Sequence, residues 1–215
     1  SGGKVFLLLG DAQDGTPNLD ALMKEYGMER TDGYIADMQR SYQGNYYYIF
    51  PELSSSAGLT DGMASDMVML VNAHGMSVTD PARDTITATP FMTTSADGYA
   101  VTEDSQKQGT YTLGAVSTES VSDGEEARFT VITADTLIDP QVTEAFSTLE
   151  NLTLFTNAVS ANFEDMENVA IEPKSLEVTY NTMRHAGVIS MIVIFGIPAV
   201  ILIYGFLRWM KRRKA

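Results

Sequence analysis

The chain has no cysteine, only two histidines and a single tryptophan, and each scarcity removes a class of chemistry. Without cysteine there are no disulfides, no thiolate metal sites and no cysteine nucleophiles. His74 is the only histidine within the globular part, residues 1–163, and no HExxH or H-x-H pattern supplies the closely spaced ligands of a metal centre. Basic residues are scarce as well. Up to His185, nine stand against 28 acidic residues, a formal charge of −19. Such a surface repels phosphate backbones, which argues against nucleic-acid binding. There is no phosphate-binding loop, so any ATP would be handled by a separate subunit. A strained GxSxG elbow for a serine nucleophile is also missing. Nor does a basic-apolar leader open the chain. Ser1-Gly2-Gly3-Lys4 runs directly into Val5-Phe6-Leu7-Leu8-Leu9, too short an apolar run for a signal sequence and better suited to a buried strand. A domain outside the cytoplasm needs an export signal, so the sequence is expected to be the C-terminal part of a longer polypeptide.

What the chain does have is one long apolar segment. Ala186 to Leu207, AGVISMIVIFGIPAVILIYGFL, is 22 residues without a charge. As a helix it would extend about 33 Å, enough for a hydrocarbon core of about 30 Å. Arg208, Lys211, Arg212, Arg213 and Lys214 follow at once, with Trp209 among them, while only Arg184 and His185 stand before it. The positive-inside rule then places the C-terminus in the cytoplasm and the acidic domain outside the cell membrane. Pro198 lies mid-span. Gly196 and Gly205 are nine residues apart, so there is no GxxxG motif, and all three read as ordinary content of a membrane helix.

The globular part, residues 1–163, reads as α/β. The Val5–Leu9 strand leads through a turn-rich loop to a helix over Leu19–Tyr26, capped by Asn18 and ended by Gly27, suggesting a βα unit of a parallel sheet. Further strands are expected at Tyr46–Phe50 and Met67–Val71, and as two short pieces around Pro90 within Thr85–Val101. Tyr111, Leu113 and Ala115 alternate as in a strand with one covered face, and Ala127–Ala134 forms the last strand. A Ser/Gly/Asp-rich surface loop spans Ser54–Asp66, and a turn covers Ser122–Glu126. Two helices close the domain. One starts at Asp139-Pro140 and buries Val142, Ala145, Phe146 and Leu149; the other, capped by Asn151, buries Leu152, Phe155, Ala158 and Val159. Residues 164–185 form a polar connector, 186–207 the membrane helix and 208–215 a basic tail.

Several stretches in this order resemble the GldG-like auxiliary proteins of ABC transport systems. They are GGKVFLLLGD with PNLDALMKEYGM; NAHGMSVTD with FMTTSADGYAV; FTVITADTLIDP with NLTLFTNAVSANF; and IEPKSLE before the apolar span and its RWMKRRK end. The resemblance covers nearly the whole chain. It implies a flavodoxin-like or class I glutamine-amidotransferase-like α/β domain outside the membrane, working with an ABC permease and an ATPase. The chain departs from the family at Ala134-Asp135, where a Gly-Asp-Ser-Asp turn is usual. Asp135 is a ligand-binding candidate on the strength of the resemblance alone.

Glutaminase chemistry would need the missing cysteine. Asp11 and Asp14 follow the first strand, at the carboxyl edge where α/β folds place ligands, though their spacing is not that of a calcium loop. They are candidates beside His74, and the plain alternatives are turn-forming aspartates and a loop histidine satisfied by backbone or solvent. Tyr46-Tyr47-Tyr48 offers little free aromatic surface if one or two rings face a core. Asn151-Leu152-Thr153 matches a glycosylation sequon, with a helix-capping role for Asn151 as the simpler reading. The expectation is therefore a non-enzymatic, cofactor-free accessory domain. Its membrane anchor runs from Ala186 through Pro198 and Leu207 to Arg208, Trp209, Lys211, Arg212, Arg213 and Lys214. A membrane-anchored solute receptor, or part of an envelope hydrolase with upstream catalytic residues, are the alternatives.

Overall fold

A computed structural model describes residues 2–10, 15–121, 125–163 and 190–213. The chain divides into two compact units, Ser1–Val169 and Ala170–Ala215.

In the first unit the apolar run near the start becomes β1 (Lys4–Leu8). Thr16 precedes α1 (Pro17–Glu25), whose proline occupies the first turn, where its missing N–H costs nothing. Strands β2 (Met28–Asp37), β3 (Ser41–Tyr42), β4 (Asn45–Ile49), β5 (Glu52–Leu53), β6 (Leu70–Val71) and β7 (His74–Val78) follow. Then come β8 (Ile86–Thr93), β9 (Gly98–Val101), β10 (Gln106–Gln108), β11 (Thr112–Ser120) and β12 (Glu126–Ile132). A 3₁₀ turn at Asp135–Ile138 and the helices α2 (Pro140–Thr143) and α3 (Asn151–Ser160) complete the unit.

Nine strands form one sheet in the order β1-β12-β11-β7-β2-β9-β10, with β8 joined to β11 and β5 to β8; β3, β4 and β6 form a small second sheet. Among the described residues, only β1 and β12 run parallel. The other pairings are antiparallel. The unit is thus mixed α/β, and the expected parallel winding is confined to one edge.

Side-chain alternation along the strands divides the core between two faces. Leu9, Met23, Met28, Met76, Ala115, Phe129 and Val131 cluster beneath α1. The larger cluster holds Ile35, Ile49, Phe91, Leu113, Val116 and Ile132 together with Leu154 and Ala158 of α3. β11 lies between β12 and β8, and Leu113 through Ser117 are all buried. It is covered on both faces, where its alternation had suggested one.

Several expectations are displaced for local reasons. β8 runs straight through Pro90 instead of breaking there, because Pro90 lies opposite Ala115 next to a register shift where a missing N–H is tolerated. Its carbonyl accepts from Ser56 Oγ at 3.1 Å. Within the predicted surface loop, Ser54 caps a 3₁₀ turn at Ser55–Ala57 and Leu59 is buried. The strand expected over Met67–Val71 shrinks to Leu70–Val71. α2 is a single turn that buries Val142 and leaves Ala145 exposed. In α3 the inner face is Asn151, Leu154 and Ala158, while Leu152 points outward. None of Tyr46, Tyr47 and Tyr48 is buried. The connector 164–185 and the turn residues 122–124 lie outside the described residues.

Among its described residues the second unit contains one helix, Ile192–Arg213, with mean hydropathy 2.0 and no buried residue in its apolar window. It is long and apolar enough to cross a membrane. A wide π turn occupies Ile192–Gly196, where the Ile197 N–H donates to the Ile192 carbonyl. Pro198 explains that turn, since its ring cannot donate to residue 194 and crowds that carbonyl. The helix continues past Leu207 through Arg208, Trp209, Lys211, Arg212 and Arg213. The Phe206 and Trp209 rings stack, with the Arg213 guanidinium 4.6 Å above the Trp209 ring centre. Ala186, His185 and Lys214 lie outside the described residues.

Candidate functional site

The parallel pair β1 and β12 brings two stretches of the sequence together at its carboxyl end. Leu9 N–H donates to the Ile132 carbonyl at 2.9 Å, prolonging the ladder to Leu9. A side chain at Gly10 would meet the Asp135 carboxyl carbon at 3.0 Å. Glycine therefore lets the backbone pass close against Asp135. Asp11 and Asp14 lie outside the described residues. His74, at the start of β7, donates its backbone N–H to the Thr133 carbonyl at 2.9 Å, so it reaches the same edge.

Beside this edge is a cleft of about 510 Å³, lined by Leu9 and Gly10, by Asp20, Ala21 and Lys24 of α1, by Glu29 to Gly33 of β2, and by His74. Asp20 holds Arg30 in a two-pronged pair, Nε to Oδ1 at 2.6 Å and Nη2 to Oδ2 at 3.1 Å. Lys24 and Glu29 approach only to 3.9 Å and both are largely exposed, so that pair holds little. The cleft offers three carboxylates (Asp20, Glu29 and Asp32) against two cations (Lys24 and Arg30), a setting for a small polar solute.

His74 is oriented by a bulge. The β2–β7 register shifts between Thr31 and Tyr34, and Gly33 sits within it at φ +86°. A Cβ there would lie 2.2 Å from the Val101 carbonyl oxygen, so glycine is required both by backbone conformation and by space. The bulge places the Gly33 carbonyl 2.9 Å from His74 Nδ1. A carbonyl can only accept, so Nδ1 carries the proton. The Tyr34 ring stacks on the imidazole at 4.8 Å. Asp32-Gly33 inside a β-favouring run was the available sequence signal for this bulge.

A second groove of about 550 Å³ opens below α1, lined in part by Val5, Leu22, Tyr26, Glu119 and Phe129. Arg83 grips Glu119 at 2.8 and 3.1 Å, and the Tyr26 hydroxyl and Thr85 Oγ1 each donate to the same carboxylate at 3.3 Å. The Arg83 hydrogen bonds hold the Glu119 carboxyl below its usual range. Burial, with Glu119 nearby, pushes the Tyr26 phenol up. On β12, Arg128 is held below the usual guanidinium range by burial.

Two buried polar residues have roles that sequence reasoning did not anticipate. Asp37, fully buried at the end of β2, accepts from the backbone N–H groups of Gln39 and Arg40 and from both the N–H and hydroxyl of Ser95. Asn151, also fully buried, accepts from Met69 N–H at 2.9 Å and donates to the carbonyls of Met69 and Leu137 at 2.8 and 3.1 Å. It is the first residue of α3 rather than its cap, which is Glu150. Among the described residues, no group of three His, Asp or Glu side chains gathers as a metal site.

Compared with models of known protein families and with curated proteins, the chain matches none. Among solved structures it is similar to a chain described as "mmIFT52 N-terminal domain", with a TM-score of 0.53 and 13% identity. The match covers 77% of this chain and 67% of that one. At that identity the likeness is one of fold alone.

Proposed function

We propose that the protein is a non-enzymatic, membrane-anchored accessory component of an ABC-type transport system. Its acidic unit lies outside the cytoplasm and binds a solute or an envelope partner, and its C-terminal helix docks on the permease. The observation that most supports this reading is the combination of an apolar helix, ending in Arg208 and Lys211 to Arg213, with a separate acidic unit bearing a polar cleft. The flavodoxin-like or amidotransferase-like core belongs to the same proposal. It is supported by the β1–α1 succession and the parallel β1–β12 pair, and it would treat the antiparallel strands as elaboration of that edge.

The cleft beside His74 equally favours a solute receptor that works without a transporter. Purification from native membranes separates the two. A permease and an ATPase should travel with the chain under the first reading, and their absence from a mild-detergent preparation would overturn it. Orientation has its own test. A reporter active only in the cytoplasm, fused after Ala215, should be active, and a silent but stably expressed fusion would reverse the sidedness.

A further inference from the structure

The end of the terminal helix divides its cations between two sides. At 3.6 residues per turn, Phe206, Trp209 and Arg213 share one side, and Arg208, Lys211 and Arg212 share another. The first group is self-contained. The Phe206 and Trp209 rings stack at 5.9 Å, and the Arg213 guanidinium lies over the Trp209 ring. The second group is not. All three of its side chains are exposed, and among the described residues no ion pair engages them. Nor does the neighbouring sequence offer a counter-charge, since no acidic residue stands between Glu177 and Ala215. Lys211 and Arg212 lie in the last turn and complement the helix dipole there. Arg208 lies a turn earlier, so the dipole does not account for the whole face. Its depth points further. Leu207 closes the uncharged segment, and the rise from Arg208 to Arg212 is about 6 Å. The headgroup layer on one side of a bilayer is about as deep, since a core of about 30 Å lies within a total of about 40–45 Å.

We propose that Arg208, Lys211 and Arg212 form a binding face for the headgroups of anionic phospholipids, in the leaflet that receives the basic end of the helix. Phosphodiesters at that depth supply the acceptors that the local sequence lacks. The two guanidiniums can fork onto phosphate oxygens, and the Lys211 ammonium adds a point charge. An anionic lipid is favoured over a zwitterionic one because no choline offsets its phosphate charge. An acidic protein segment is disfavoured as occupant, because the face lies within the headgroup layer and such a segment would have to displace lipid. Trp209, an interfacial aromatic, holds the helix end at that depth. The face rests on the anchoring part of the function proposed above, that the helix spans a membrane. It needs neither a transporter nor a particular sidedness.

The test uses the full chain reconstituted in phosphatidylcholine vesicles. Fluorescence of Trp209, the one tryptophan in the sequence, is quenched by lipids spin-labelled high on the acyl chain. Labelled phosphatidylglycerol should quench more strongly than labelled phosphatidylcholine at the same mole fraction, with a relative affinity of roughly threefold or more. Sodium chloride at about 1 M, where the screening length is about 3 Å, should bring that ratio to about one. So should the triple variant Arg208→Gln, Lys211→Gln, Arg212→Gln, while its circular dichroism and its quenching by labelled phosphatidylcholine stay as in wild type. Arg213→Gln should lower the ratio less than Arg212→Gln. Excess inorganic phosphate at constant ionic strength should leave it unchanged; displacement by phosphate would overturn the proposal in favour of a soluble anion. Equal quenching by the two lipids, a preference that survives the triple variant, or equal effects of Arg212→Gln and Arg213→Gln would overturn it and leave the anchor intact. Absence of quenching by either lipid would overturn the anchor with it.

Discussion

Asn151 joins three distant pieces of chain through one side chain, and removing it should be costly. Its amide oxygen accepts from Met69 N–H and its amide nitrogen donates to the carbonyls of Met69 and Leu137, with Asn151, Met69 and Leu137 all essentially excluded from solvent. Asn151→Ala leaves those backbone groups buried without that partner. Each unsatisfied buried group costs about 1–3 kcal/mol, and partial entry of water lowers the sum, so a loss of roughly 3 kcal/mol is expected. For a unit of this size that is a fall of about 6–12 °C in the melting temperature, read by circular dichroism on the full chain in detergent.

Asn151→Asp is the sharper variant. It keeps the oxygen that accepts from Met69 but sets a second carboxylate oxygen against two carbonyls. At neutral pH it should melt no higher than the alanine variant, and it should regain stability relative to wild type as acid protonates the carboxyl and restores one donor. An alanine variant within 1 °C of wild type, or an aspartate variant without recovery in acid, would refute the account. Thr153→Ala removes the sequon without touching these bonds and should melt like wild type.

The sequence was most legible where one local rule sufficed. Asn18 to Gly27 announced α1, which starts two residues earlier than expected at Pro17, ARFTVITA announced β12, and the long uncharged segment followed by arginines announced the terminal helix. It was least legible where a tertiary partner decided the outcome. Asn151 has the composition of a helix cap, and only the approach of Met69 from 82 positions away makes it a strut. Asp37 looks like any polar strand end until Ser95 closes on it. The βα start suggested a parallel sheet because sequence shows order and not direction; the antiparallel majority depends on pairings such as β2 with β7 and β8 with β11. The candidates had mixed outcomes for the same reason. His74 and Asp135, 61 positions apart in sequence, both reach the carboxyl edge of β1 and β12 through the ladder, a proximity no spacing rule encodes.

Further expectations follow from individual contacts. Gly33→Ala forces a side chain into a positive-φ bulge against the Val101 carbonyl; strain of about 1–3 kcal/mol should lower the melting temperature by several degrees and shift the His74 ring resonances, and an unshifted melt would show that the bulge relaxes freely. Asp37→Asn turns an amide donor toward the Ser95 N–H or gives up the bonds to Gln39 and Arg40. It should cost about 1–3 kcal/mol and more than Ser95→Ala, an order that urea titration would check. The pH dependence rests on Glu119, which sits at the meeting of α1, the Arg83 loop and β11. Its carboxyl is held low in the folded state, first by hydrogen bonds from Arg83. The unfolded chain therefore binds the proton at higher pH than the folded one, and stability from this cluster is present above the unfolded value and fades as pH falls through the folded value. Wild type should accordingly melt higher than Arg83→Ala at pH 7, and the gap should close steadily below about pH 4.3, the ordinary glutamate range. The Tyr26 phenol, pushed up mainly by burial, stays neutral throughout that window and cannot mimic the effect. A gap that is constant from pH 7 to pH 3 would mean that Arg83 acts through packing on the Tyr26 ring, 5.6 Å away, and not through the carboxylate.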